Sequence, residues 1–138
     1  MTRHCFTYGS LMCEEIMFAV CGAPAAAAPA TLVGYRRHPV AGEAYPGMLP
    51  TAGAQVDGVL YRDLTPAALA RLDAFEGPQY RRETVSVRLA DGSTVEAETY
   101  VFRAEFADLL RPGDWDFDDF LRHGRAAFEA RYVGYARI

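Results

Sequence analysis

The chain has no lysine; all 14 of its basic residues are arginine. That absence removes Schiff-base chemistry on a lysine amine and the phosphate loop whose lysine reaches the phosphates. Histidine and cysteine are scarce, with His4, His38 and His123 against Cys5, Cys13 and Cys21. None of them forms a CxxC or HxxxH pair, and three cysteines evenly spaced in one end make a poor disulfide framework. Three free thiols and no metal or other cofactor are therefore expected. Long apolar runs are also missing, since none approaches the roughly 18–20 residues of a membrane span. The stretch "IMFAVCGAPAAAAPA" has the small residues of a secretory leader. Its apolar core is short, however, and Glu14 and Glu15 stand where a leader carries positive charge. An excess of basic charge is absent too: the net charge is -4, which disfavours a phosphate backbone as partner. These absences together describe a cytoplasmic protein with neither a nucleic acid nor a membrane as its partner.

What is present is an ordinary globular balance, 51% hydrophobic and 23% charged over 138 residues, enough for one domain over 1–138 with a core of its own. Arg3 to Thr7 reads as a strand running into the loop "YGSL". Met12 to Val20 reads as a helix with a broad apolar surface, ended by Gly22. "APAAAAPA" reads as a connector, because Pro24 and Pro29 interrupt regular structure. Thr31 to Val40 and Val56 to Leu64 read as strands. Between them "YPGMLP" reads as turn-rich, with Pro46-Gly47 suited to a type II turn.

Thr65 as N-cap, Pro66 at the first helical position and Gly77-Pro78 at the end delimit a second helix. Two alternating strands follow, joined at Asp91-Gly92, a strong hairpin signal. "GDWDFDDF" leads into a last helix, with Asp residues where a helix N-terminus favours them. Tyr132 and Tyr135 beyond it read as packing residues. Hairpin-joined strands interleaved with helices give an α+β class with a mostly antiparallel, curved sheet.

Two features carry possible chemistry. On the second helix Leu69, Leu72 and Glu76 follow i, i+3, i+7 spacing and share one face. A carboxylate on the core-facing stripe, at the helix end where the dipole disfavours negative charge, has its pKa raised and can act as a base near neutral pH. The same position also fits a solvated helix end, and Asp73 is a rival acid near the edge of that face. The second feature is the "YGSL" loop. Gly9 permits close approach of a ligand, and successive N–H groups there suit a carboxylate or an oxyanion. Read alone, the loop fits a plain strand-to-helix turn better.

Taken in order, "YGSLM", "GYRRHPVAGEAYPGMLP", "LDAFEGPQYRRETVSV", "ETYVF" and "GDWDFDDF" resemble the γ-glutamylcyclotransferase-like superfamily. Within it they look most like the plant avirulence-induced-gene branch, and the resemblance spans most of the chain. It implies a small mixed, mostly antiparallel sheet closing into a distorted barrel with flanking helices. It also implies that Tyr8, Gly9, Ser10 and Leu11 bind a γ-glutamyl group, that Glu76 is the catalytic base, and that Tyr80 lies near the substrate. The implied reaction is attack of the substrate's α-amine on its own γ-carbonyl, releasing 5-oxoproline and an amine or amino acid. Such chemistry needs one acid/base and good placement, and a small γ-glutamyl compound as the partner. Two rivals keep the same residues. One is a non-catalytic binding or regulatory relative; the other is a transferase or hydrolase acting on a γ-glutamyl-protected intermediate.

Overall fold

The computed structural model describes residues 3–126 and 128; Tyr132 and Tyr135 lie outside them. Strand β1 (Arg3–Thr7) leads through Tyr8-Gly9 and a 3-10 turn (Ser10–Met12) into α1 (Glu14–Cys21). Then come β2 (Ala27–Pro39), β3 (Pro46–Leu64), α2 (Pro66–Glu76) and the hairpin β4 (Tyr80–Leu89) and β5 (Thr94–Phe102). A 3-10 segment (Ala104–Leu109) and a short helix α3 (Phe117–Asp119), prolonged by a wider turn over Phe120–Gly124, follow.

The strands close into a barrel in the order β1-β3-β2-β4-β5. Every pairing is antiparallel except β1 with β5, which is parallel at Cys5↔Glu98. The α+β class and the barrel with flanking helices are thus as expected. Closure leaves no sheet edge open at that seam.

Side-chain alternation splits the core in two. All five strands contribute to an inner cluster, among them Phe6 from β1, Leu32 from β2, Met48 and Leu60 from β3, Val87 from β4 and Val101 from β5. The opposite faces of β1 and β5, with Cys5, Tyr100 and Phe102, pack instead with Ile16 and Met17 of α1 and Leu69 and Leu72 of α2. Leu72 has no exposed surface, and burying a side chain of that size contributes about 1.5–3 kcal/mol. The three cysteines are free thiols, all buried.

The helix read as starting at Met12 starts at Glu14, because Ser10–Met12 forms a separate, tighter turn. Two other expectations are corrected. The connector reading of "APAAAAPA" fails from Ala27 onward, where the chain already pairs with β3; Pro29 lies opposite Val59. Pairing with β4 is confined to Ala30 and Thr31, so Pro29 sits on an open flank, where its missing N–H costs no ladder bond.

Pro46-Gly47 is likewise strand rather than turn, with Pro46 opposite Pro39 and Gly47 opposite His38. The turn falls earlier, at Ala41-Gly42. Gly47 serves close packing there: a Cβ on it would meet the Phe102 ring at 2.6 Å. The Asp91-Gly92 hairpin forms as read, with Asp91 accepting from the Ser93 N–H at 2.9 Å and the ladder running from Arg88↔Thr94 to Tyr80↔Phe102.

Candidate active site

Helix α2 delivers the carboxylate. Its start is fixed by Thr65, whose hydroxyl accepts from the Ala68 N–H at 3.1 Å, and by Pro66 in the first turn. Its end is fixed by Gly77, at φ 83, whose N–H returns to Asp73 O. Glu76 is the last residue before that stop. With Leu69 and Leu72 buried on the same face, Glu76 is carried inward and lines a cavity beside Phe75.

Across this cavity stand Tyr8, Gly9, Ser10 and Leu11. The β1–β3 register ends at Thr7↔Val59, so Gly9, Ser10 and Leu11 lie past the ladder. The loop is held by its carbonyls. Tyr8 O accepts from Arg37 at 2.8 Å and Leu11 O from the Tyr61 hydroxyl at 2.8 Å. Gly9 O takes the Met12 N–H at 2.9 Å, and Ser10 O takes the Cys13 N–H at 3.1 Å. The N–H groups of Gly9, Ser10 and Leu11 have no acceptor among the described residues. Gly9 also has no room for a side chain, since a Cβ would meet the Pro46 ring at 2.8 and 2.9 Å.

The remaining wall is aromatic. Tyr80 lines the cavity, with its hydroxyl turned to Pro46 O at 2.7 Å. The Tyr8 hydroxyl donates to Tyr100 O at 2.5 Å, and the Tyr100 hydroxyl donates to Asp73 Oδ1 at 2.6 Å. Tyr45 and Phe128 also line the cavity. All six residues singled out in the sequence, Tyr8 to Leu11, Glu76 and Tyr80, therefore meet at one cavity. Asp73, the rival acid, is exposed and engaged by Tyr100 and by Arg82 at 3.6 Å.

Electrostatics single out Glu76. Burial, and secondarily the negative charge of Asp73, push the Glu76 carboxyl up to about 8. Burial also drives the Tyr8 and Tyr80 phenols well above their ordinary value, with the Glu76 charge adding to both. These phenols stay neutral near physiological pH and act as donors. Among the described residues no group of His, Cys, Asp and Glu could hold a metal ion, and no helix there is long and apolar enough to cross a membrane.

Residues 5–117 match the family model described as "Gamma-glutamyl cyclotransferase, AIG2-like". The chain belongs to this family. Among its curated relatives is the AIG2-like protein C of Arabidopsis thaliana, 34% identical over 89% of this chain and 72% of the relative. An Arabidopsis thaliana protein known from its solution structure superposes with a TM-score of 0.74 at 28% identity, covering 94% of this chain and 79% of the other. A solved γ-glutamyl cyclotransferase shares the fold, with a TM-score of 0.67 at 19% identity over 75% of this chain and 68% of that one.

Several features of this AIG2-like site were not anticipated from the sequence. The ties of Arg37 to the loop and of Tyr100 to Asp73 join residues 29 and 27 positions apart. The aromatic wall draws on Tyr45 and Phe75 as well. Only "GYRRHP" and "ETYVF", as segments of the resemblance, pointed toward Arg37 and Tyr100, and neither segment named a role.

Proposed function

We propose that the protein is a γ-glutamyl cyclotransferase in which Glu76 moves the protons and the loop of Tyr8, Gly9, Ser10 and Leu11 holds the γ-glutamyl group. The observation that carries this reading is the shared cavity. A carboxyl group raised to about 8 lines the same cavity as loop residues whose amides have no acceptor among the described residues.

Ionised Glu76 takes a proton from the substrate's α-ammonium, and its raised pKa makes it a stronger base for this transfer than an ordinary carboxylate. The freed amine attacks the γ-carbonyl carbon and closes a five-membered ring. The oxygen becomes an oxyanion, and the ring nitrogen carries a surplus proton. Glu76 then gives its proton to the leaving nitrogen as the C–N bond breaks and the carbonyl reforms. It next accepts the surplus proton from the ring nitrogen and passes it to the departing amine, which leaves as an ammonium ion. The products are 5-oxoproline and that amine, and Glu76 ends ionised as it began. Because the attack is intramolecular, placement supplies much of the acceleration. Tyr80, with its hydroxyl committed to Pro46 O, acts as a wall against the substrate rather than as a proton carrier.

The test is 5-oxoproline formation by the wild-type protein from a panel of γ-glutamyl amines and γ-glutamyl dipeptides. Turnover of at least one member is expected. Binding without turnover across the panel would replace this reading with that of a non-catalytic relative keeping the pocket.

A further inference from the structure

Arg37 lies outside the cavity. It lines a separate surface groove with Asp114, yet its side chain is only 14% exposed. Its fork is spent on one purpose. Nε and Nη2 hold the two oxygens of Asp114 at 2.8 and 3.0 Å, leaving Nη1 for Tyr8 O at 2.8 Å. The guanidinium also stacks on Trp115, 5.5 Å from the ring centroid. Trp115 is fixed in turn by its N–H to Asp114 Oδ1 at 2.7 Å and its indole N–H to Ala44 O at 2.8 Å. A planar cation clamped in this way is far more apparatus than a single backbone carbonyl needs to be satisfied.

The consequence lies in the peptide that this carbonyl belongs to. Tyr8 C=O and Gly9 N–H are the two ends of one trans peptide unit and point in opposite directions. With Arg37 on the carbonyl side, the Gly9 N–H is directed away from Arg37. Gly9 lines the cavity, and its N–H has no acceptor among the described residues. A cation bonded to the carbonyl withdraws electron density along the peptide and strengthens that N–H as a donor to an anion.

We propose that Arg37, clamped by Asp114 and Trp115, is a positioning residue that fixes and polarises the Tyr8–Gly9 peptide so that the Gly9 N–H receives the α-carboxylate of the γ-glutamyl ligand. This assigns a role to "YRRHP" and to the first half of "GDWDF", which the chemistry at Glu76 leaves unused. It rests on the cavity being the γ-glutamyl site, but not on turnover.

The experiment is an NMR titration of 5-oxoproline and of its neutral carboxamide into wild type, Arg37→Lys and Arg37→Gln. It is run at about pH 6.5, where Glu76, with its midpoint of about 8, is uncharged. The wild type is expected to prefer the carboxylate by ~10-fold or more, the scale of a hydrogen bond to a charged group. Arg37→Gln should erase that preference while leaving carboxamide binding within about twofold. Arg37→Lys, which keeps the charge but loses the fork, should retain part of it. Should Arg37→Gln fail to fold, Asp114→Asn at the exposed end of the clamp should weaken the preference in the same direction. An unchanged preference in the variants, an equal loss for both probes, or no preference in the wild type overturns the proposal. A carboxylate preference without turnover of any γ-glutamyl substrate would defeat the cyclotransferase reading alone.

Discussion

Asp73 precedes Glu76 by three residues on α2, and its Oδ1 receives the Tyr100 hydroxyl at 2.6 Å. The two carboxylates therefore lie on successive turns of one helix, one held at the surface and one lining the cavity. The charge of Asp73 is the second cause, after burial, of the raised Glu76 pKa. Asp73→Asn should lower the Glu76 midpoint from about 8 while leaving the plateau rate nearly unchanged, as read from carboxyl carbon shifts and the pH–rate profile. Because Asp73 is exposed, added salt should screen it and lower the wild-type midpoint in the same direction. A midpoint that ignores both would mean that burial alone sets it.

The raised pKa also has a stability signature. Between the unfolded value of 4.5 and the folded value of about 8, the native state holds the Glu76 proton and the unfolded chain does not. Stability contributed by this group therefore falls as pH rises through that window and levels off above it. Glu76→Gln cannot ionise, so its melting temperature should gain on the wild type as pH rises from about 5 to about 8, by roughly 5 °C or more at the upper end. Parallel melting curves across that range would show that the carboxyl is not desolvated.

Gly9 tests the loop. A methyl group there meets the Pro46 ring at 2.8 and 2.9 Å, and either the loop or β3 must shift. Gly9→Ala should cost about 1–3 kcal/mol in urea unfolding and should abolish carboxylate binding at the loop in the fraction that still folds. Wild-type stability and binding together would show that the contact relaxes freely.

The parts of this architecture that are local were legible in the sequence. Thr65, Pro66 and Gly77 delimit α2 by their own side-chain and backbone chemistry, and the Leu69/Leu72 stripe fixes which way Glu76 turns. Asp91-Gly92 makes its hairpin for similar reasons. The start of β3 was not legible. Pro46 and Gly47 carry turn chemistry, and what keeps them extended is the register against Pro39 and His38 and the Phe102 ring over Gly47. The Arg37 clamp was hidden for the same cause: it depends on β2 and the Asp114-Trp115 segment both reaching the far side of the loop. Nothing within a few residues of Arg37 records that meeting.

The account turns on Glu76 as the proton carrier, and the most direct measurement is 5-oxoproline release by Glu76→Gln on a substrate that the wild type turns over. The amide keeps the shape of the carboxylate and cannot accept the α-ammonium proton. The predicted result is a folded protein that still binds the γ-glutamyl ligand and whose kcat is lower by at least ~10²-fold, the lower end of what a general base contributes. Wild-type turnover in Glu76→Gln would contradict the account and place the base elsewhere in the cavity.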